Sequence, residues 1–224
     1  MKIAVILLAA GSGLRMGEKT PKQFLPIFKK PLFLYSLETF GKLPTVHRIV
    51  LVGSKQYRRR YIKYIPQKYK SKIILVDGGS FRGESVSYGY AALEDSYDVV
   101  LVHDSARPFI TGSMVQNVAD EAKKNGAALL AIPVSDTLKN ASSNCFVQHT
   151  VPRKKLWAAQ TPQGFRWDIA KKCLNIPSMN ATDDVELAER KGFKVKLVMG
   201  SPRNFKVTRP DDLIICQAFA KIKN

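Results

Sequence analysis

Short apolar runs without internal polar alternation recur through the first part of the chain: IAVILL at 3–8, RIVLV at 48–52, KIILV at 72–76, DVVLV at 98–102 and AALLAI at 127–132. A strand with one wet face alternates apolar and polar residues. Continuous apolar runs instead predict strands covered on both faces, as in a parallel sheet between two helical layers. Helical patterns fill the gaps. One spans 31–43, with Pro31 suited to a first helical turn. Others span 84–94 and 113–125, the latter stopped by Gly126. This βαβ rhythm predicts a doubly wound α/β domain over 1–224, with a mostly parallel central sheet flanked by helices.

The rhythm breaks after Val134. Residues 135–160 are polar and weakly periodic, with Thr- and Val-containing stretches near 145–151. They read as an inserted, protruding β-arm. Insertions of this kind in compact domains are usually functional or mobile, and an arm could reach a second subunit. The α/β pattern then returns with a helix at 182–191, carrying Asp183, Asp184 and Glu186 where acids suit the helix dipole. A strand at 195–198 and a closing helix at 210–221 follow. No internal repeat is visible.

Composition narrows the class. A chain of 224 residues, 45% hydrophobic, can bury a substantial core. The apolar run at 3–10 is too short to span a bilayer, follows a single lysine and enters a glycine-rich loop, so neither a membrane span nor a signal peptide is expected. Cys145, Cys173 and Cys216 are far apart and lack metal-site or disulfide spacing, as in a reduced cytoplasmic protein. The charge is the exceptional feature: 36 Lys and Arg against 18 Asp and Glu give +18. Such a balance favours polyanionic partners, either nucleic acid or nucleotides and phosphorylated metabolites. The cluster Lys55, Arg58, Arg59, Arg60 and Lys63, interleaved with Tyr57, Tyr61 and Tyr64, could form an RNA-binding face. The favoured reading is a solvated helix surface over packed tyrosine rings. Basic residues are spread along the whole chain and no RRM, KH or helix-turn-helix signature occurs, so no nucleic acid is expected.

Ligands of open α/β sheets bind beyond the carboxyl ends of the strands, and the unusual residues fall there. The first loop reads AAGSGLRMG from Ala9, followed by Pro21-Lys22-Gln23. Gly11 and Gly13 let backbone N–H groups approach phosphates, while Arg15 and Lys22 add fixed positive charge. The glycine spacing fits neither GxGxxG nor Walker A, which disfavours an NAD enzyme or an ATPase. After the fourth run comes His103-Asp104-Ser105-Ala106-Arg107-Pro108. Asp104 is suited to Mg²⁺, which takes oxygen ligands and shares them with phosphates; a turn aspartate is the alternative. Arg107 could grip a phosphate through both guanidinium nitrogens. His103 reads as structural. After the third run, Gly78 and Gly79 allow a base or ribose to lie on the backbone, and Ser85 can either hydrogen-bond a base edge or cap the following helix. Lys206, within NFKVT, reads by itself as a solvent-facing lysine.

The ordered set AAGSGLRMG, PKQF, GGSFRGESV, HDSARP, PVSDTLK, AQTPQGF, ATDDVELAE and NFKVTRPDDL closely resembles the 2-C-methyl-D-erythritol 4-phosphate cytidylyltransferase family, from Ile3 to Leu213. The resemblance implies a Rossmann-like nucleotidyltransferase fold, a homodimer joined through the arm, and transfer of CMP from CTP to the sugar-alcohol phosphate with release of pyrophosphate. It implies that Arg15 and Lys22 bind the triphosphate and stabilise the transition state, and that Asp104 ligates Mg²⁺. Ala10, Gly11, Gly13, Gly79 and Ser85 fall in its CTP pocket. Thr137, Arg153, Thr161 and Lys206 match positions around the substrate phosphate, with Thr137 and Arg153 donated by a second subunit, and Arg107 matches a basic residue nearby. Two positions depart from the family's pattern: Ser105 stands where alanine is usual, and Ser80 stands where the family often has an aspartate near the base or ribose. Ribitol-5-phosphate cytidylyltransferase shares several of these motifs but matches ATDD and TRPDDL less well. A basic nucleic-acid-binding module is the alternative from a different class.

Overall fold

This computed structural model describes residues 1–11, 20–94 and 97–222, with side chains described through Phe219. In chain order the elements are β1 (Ile3–Leu8), a hairpin of β2 (Pro26–Ile27) and β3 (Lys30–Pro31), α1 (Leu32–Lys42), β4 (Val46–Gly53), α2 (Arg58–Tyr64), β5 (Ile73–Asp77), α3 (Arg82–Ala91), β6 (Val99–Asp104), α4 (Gly112–Asn125) and β7 (Ala127–Pro133). Then follow β8 (Leu138–Ala141), β9 (Val147–Val151), β10 (Trp157–Arg166), α5 (Trp167–Cys173), α6 (Val185–Arg190), β11 (Val195–Met199) and α7 (Pro210–Ile222).

The central sheet runs β11-β7-β10-β6-β1-β4-β5. All neighbours are parallel except β10, which lies antiparallel between β6 and β7. Consecutive residues of β1 point to opposite faces. Ile3, Val5 and Leu7 enter the core beneath α1, α2 and α4. Ala4 and Ile6 enter a second core with residues of α3, α5 and α6. Both faces are therefore dry, as the unbroken apolar runs require. A third cluster, including Leu25, Ile27, Phe109, Val207 and Cys216, joins the β2–β3 hairpin to α7.

Three local readings are refined, and the stop at Gly126 stands. Pro31 precedes α1 as its N-cap rather than lying inside the first turn. The helix read at 182–191 starts at Val185, because Thr182 and Asp183 fold back on it: the Glu186 amide donates to the Asp183 carboxylate at 3.0 Å. Gly126 closes α4 at φ +97°, a left-handed conformation that favours glycine. The insertion ends earlier than 160. β8 and β9 form a separate antiparallel pair, but Trp157, Ala158 and Ala159 already pair with β7 in the main sheet. The polar, proline-containing stretch Gln160–Pro162 disguises β10. It falls in the register shift between Ala159 and Gln163, where proline need not give a ladder hydrogen bond.

Candidate active site

In register, Leu8 of β1 lies beside Val52 of β4 and Asp104 of β6, and Gly53 lies beside Asp77 of β5. The carboxyl ends of these strands thus form one edge, and a cavity of about 670 Å³ opens there. Ala10 and Gly11 line it from the loop after β1, Gly79 from the β5–α3 turn, Ser85 from the first turn of α3, and Asp104 from β6. Lys22 and Lys206 complete the rim from segments that close over this edge.

The β5–α3 side is built by close backbone approach. A Cβ on Gly78 would stand 2.4 Å from the Cβ of Ala10, and one on Gly79 would stand 2.4 Å from the Glu84 side chain. Larger residues would push this turn off the β1 loop. The Gly79 amide donates to the Ser85 hydroxyl at 3.0 Å, which leaves the hydroxyl proton for another acceptor. Ser80 brings no carboxylate of its own, but its amide donates to Glu84 at 2.6 Å, so an acid stands beside it.

Asp104 lies at the end of β6, only 8% exposed. Lys206 Nζ approaches its carboxylate at 2.6 Å and Arg82 Nη2 at 3.4 Å. Arg82 also donates twice to Asp184, at 2.6 and 2.8 Å, across 102 residues of sequence. Burial opposes ionisation of Asp104, but Arg82, Lys206 and Arg107 outweigh it and hold the carboxyl well below its ordinary range. Asp184 moves the other way: burial pushes it up against the pull of Arg82, and the Asp104 charge adds to the rise.

Beneath Asp104 lies a buried polar relay. The Asp104 amide donates to the Thr161 hydroxyl at 3.1 Å, and that hydroxyl lies 3.1 Å from His103 Nδ1. His103 Nε2 lies 3.2 Å from the Arg107 carbonyl, which can only accept. Nε2 therefore carries the ring proton, and Nδ1 accepts from Thr161. Complete burial lowers the His103 pKa to about 4, so the ring is neutral near pH 7. Arg107 donates to the carbonyl oxygens of Asn204 at 2.8 Å and Ala159 at 3.4 Å. The Val207 amide donates to the Ala106 carbonyl at 2.8 Å, and Lys22 Nζ reaches the Val207 carbonyl at 3.2 Å. The segment carrying Lys206 is thereby fixed along its length.

The structure thus gathers Ala10, Gly11, Lys22, Gly79, Ser85, Asp104 and Lys206 around one cavity. Lys206 is an ion-pair partner at its rim rather than the solvent-facing lysine its local sequence suggests. Thr161 and Arg107 do not line the cavity; they brace Asp104 and the Lys206 segment from below. Thr137 and Arg153 are exposed on the β8–β9 arm, off this cavity, and the Arg153 guanidinium donates to the Ser135 carbonyl. Gly13 and Arg15 lie outside the described residues. Sequence reasoning did not single out Arg82 and Asp184 as a pair. Their only local signals are an arginine just after paired glycines and one of two adjacent aspartates.

Among the described residues, no group of three His, Cys, Asp or Glu side chains is placed to hold a metal. One ionised carboxylate already facing two cationic groups nevertheless fits Mg²⁺, which commonly takes one or two carboxylates and completes its shell with water and substrate phosphate. No helix among the described residues is long and apolar enough to cross a membrane. In the basic cluster at 55–63, Arg58 and Arg59 face solvent, while Tyr61 is fully buried.

Comparison with known proteins agrees with this geometry. The family profile of 2-C-methyl-D-erythritol 4-phosphate cytidylyltransferase (IspD) matches residues 3–221. A curated protein of that name from Alkaliphilus metalliredigens is 41% identical, covering 96% of this chain and 92% of that protein. The crystal structure of 4-diphosphocytidyl-2C-methyl-D-erythritol synthase from Anaerococcus prevotii superposes with a TM-score of 0.83 at 30% identity, covering 98% of both chains. That of 2-C-methyl-D-erythritol 4-phosphate cytidylyltransferase from Thermus thermophilus gives 0.81 at 29% identity, covering 99% of this chain and all of the other.

Proposed function

The chain belongs to the 2-C-methyl-D-erythritol 4-phosphate cytidylyltransferase family, and we propose how its residues divide that family's reaction, CTP-dependent cytidylyl transfer to 2-C-methyl-D-erythritol 4-phosphate in isoprenoid biosynthesis. The observation that carries the reading is the convergence of Lys22, Arg82, Asp104 and Lys206 on one cavity, in a chain the family profile spans from residue 3 to 221.

The cytosine and ribose lie along Gly78, Gly79 and Ser85, where the backbone comes close enough to exclude a larger base. The triphosphate lies over Ala10 and Gly11, with Lys22 beside it. A phosphate oxygen of the second substrate attacks the α-phosphorus of CTP in line with departing pyrophosphate. That oxygen is already ionised, so the step needs no general base, consistent with a neutral, buried His103. Negative charge grows on the equatorial and leaving oxygens. Lys22 neutralises it from a position fixed by its bond to the Val207 carbonyl, and Arg15 joins it on the strength of the family resemblance. Asp104 would hold Mg²⁺, which when bound supplies Lewis-acid neutralisation of phosphate charge. Lys206, held at the Asp104 edge, grips the phosphate of the second substrate.

Thr137 and Arg153 complete that phosphate site from a second copy of the chain, as a homodimer. Both residues are exposed and off their own cavity, and the arm also exposes Leu138, Phe146 at 74% and Val147 at 63%. A free arm seldom keeps such a surface without a partner. The three unpaired cysteines fit a cytoplasmic location.

Pyrophosphate release with CTP and Mg²⁺ tests the reading, with 2-C-methyl-D-erythritol 4-phosphate and ribitol 5-phosphate offered separately. Turnover with the first alone is expected. Turnover with ribitol 5-phosphate alone would retain the cavity chemistry and overturn the substrate, and silence with both would overturn the reaction.

A further inference from the structure

The helix α2 carries the densest run of basic residues, yet its least exposed side chain is a tyrosine aimed inward. Tyr61 is fully buried, with its ring 4.7 Å from Phe24 and 5.3 Å from Phe33, centroid to centroid. A Cβ on Gly53 would stand 2.5 Å from that ring, so the end of β4 has room for the ring only because residue 53 lacks a side chain. The packing fixes where the hydroxyl points, and the hydroxyl meets two elements of the cavity at once. It donates to the Ala9 carbonyl at 2.7 Å and accepts from the Gln23 side-chain amide at 3.2 Å. Ala9 and Gln23 both line the cavity, and both are 3% exposed. Burial pushes the phenol up to about 12, so it remains a neutral donor throughout the working range of pH.

Two consequences follow for the triphosphate site. In a trans peptide the C=O and the next N–H point in opposite directions. Holding the Ala9 carbonyl inward at Tyr61 turns the Ala10 N–H outward, to the side of the cavity that Ala10 lines. Gln23, held by the same oxygen, immediately follows Lys22 in a single 3-10 turn, Lys22–Phe24. One hydroxyl therefore sets the amide at the start of the loop and the turn that presents the lysine at its end.

We propose that Tyr61 is a positioning residue for CTP: its hydroxyl braces Ala9 and Gln23 against each other, and so orients the Ala10 amide and Lys22 toward the triphosphate. The proposal rests on the cytidylyltransferase reading given above. It extends that reading by separating CTP binding from binding of the second substrate, whose Lys206 is held by Asp104 and, through its segment, by Arg107, and meets the brace through the Lys22 bond to the Val207 carbonyl.

The test is Tyr61→Phe, which keeps the ring and removes the brace. KM for CTP and the Kd for CTP, the latter by calorimetry without the second substrate, are each expected to rise about tenfold. KM for 2-C-methyl-D-erythritol 4-phosphate should stay within about twofold. Gln23→Met should reproduce part of the loss, and the double variant should be no worse than Tyr61→Phe alone, since both break one brace. Ile169→Ala, a buried change in α5 remote from the brace, is the control for simple destabilisation: it should lower the melting temperature and leave both KM values in place. A Tyr61→Phe enzyme with a lowered melting temperature and unchanged CTP affinity would overturn the proposal, as would equal rises in both KM values. Failure of the wild-type enzyme to turn over would instead overturn the reading beneath it, and the calorimetric arm would still report whether Tyr61 governs nucleotide binding.

Discussion

Lys206 and Arg153 are assigned to the same substrate phosphate, yet the chain builds them in opposite ways. Lys206 sits on a segment fixed by Arg107, by the amide of Val207 and by Asn204, whose side chain donates to the Thr161 carbonyl at 2.9 Å. Its ammonium is already matched to a carboxylate at 2.6 Å. Arg153 lies in the exposed arm, where its guanidinium donates to a carbonyl of the same arm. The cavity side is preorganised by its own chain. The arm is a preformed hairpin whose cationic tool still needs a phosphate and a second cavity. The proposed division would tie turnover to assembly: binding of CTP would belong to one copy, and capture of the second substrate to two.

The largest expected effect lies on the cavity side. Lys22→Ala should lower kcat by on the order of 10²–10³, with the melting temperature nearly unchanged because the core clusters are untouched. Near-normal turnover would remove the electrostatic role of Lys22. A smaller effect, confined to the cavity side, comes from His103. Its ordinary pKa of 6.5 falls to about 4 in the fold. As pH drops through that window the unfolded chain takes up the proton first, so folding stability falls by about 3 kcal/mol and is fully regained above 6.5. Urea titrations of the metal-free protein between these limits should show this slope. His103→Gln, though less stable overall, should flatten it. Smallest is the arm: Arg153→Ala removes one charged hydrogen-bond donor and should raise KM for 2-C-methyl-D-erythritol 4-phosphate by about 10- to 100-fold. The affinity for CTP should not move; if it does, the arm and cavity are not separable as described.

What could be seen in the sequence follows the same division. β1, Ile3–Leu8, coincides with its apolar run because a strand buried on both faces has no polar residue to blur its ends. Asp104, Lys22 and the glycine turns were legible because loops after parallel strands carry the chemistry of such sheets. β10 was hidden, since Gln160, Thr161 and Gln163 are buried by hydrogen bonding rather than by apolarity: Gln160 donates to the Ser201 carbonyl at 2.9 Å, and Gln163 accepts from the amides of Asp184 and Val185. Periodicity cannot register a polar residue that is inside. The Arg82–Asp184 pair was hidden for another reason, because only the folded topology brings the β5–α3 turn against the segment before α6. Thr161 and Arg107, matched to positions around the substrate phosphate, bond to His103, Asp104, Asn204 and Ala159, an arrangement no local motif encodes.

The divided site is tested most directly by mixing two impaired variants, Lys22→Ala and Arg153→Ala, after joint unfolding and refolding, and assaying at a concentration of 2-C-methyl-D-erythritol 4-phosphate well below its wild-type KM, where each variant alone is nearly silent. In a heterodimer, one cavity keeps its lysine and receives an intact arm from the other chain. Random pairing should therefore restore about a quarter of wild-type activity, as expected for a two-fold assembly in which each site draws on both chains. A mixture no more active than the separate variants, with heterodimers present, would contradict the account: it would place Arg153 and Lys22 in the same chain's site.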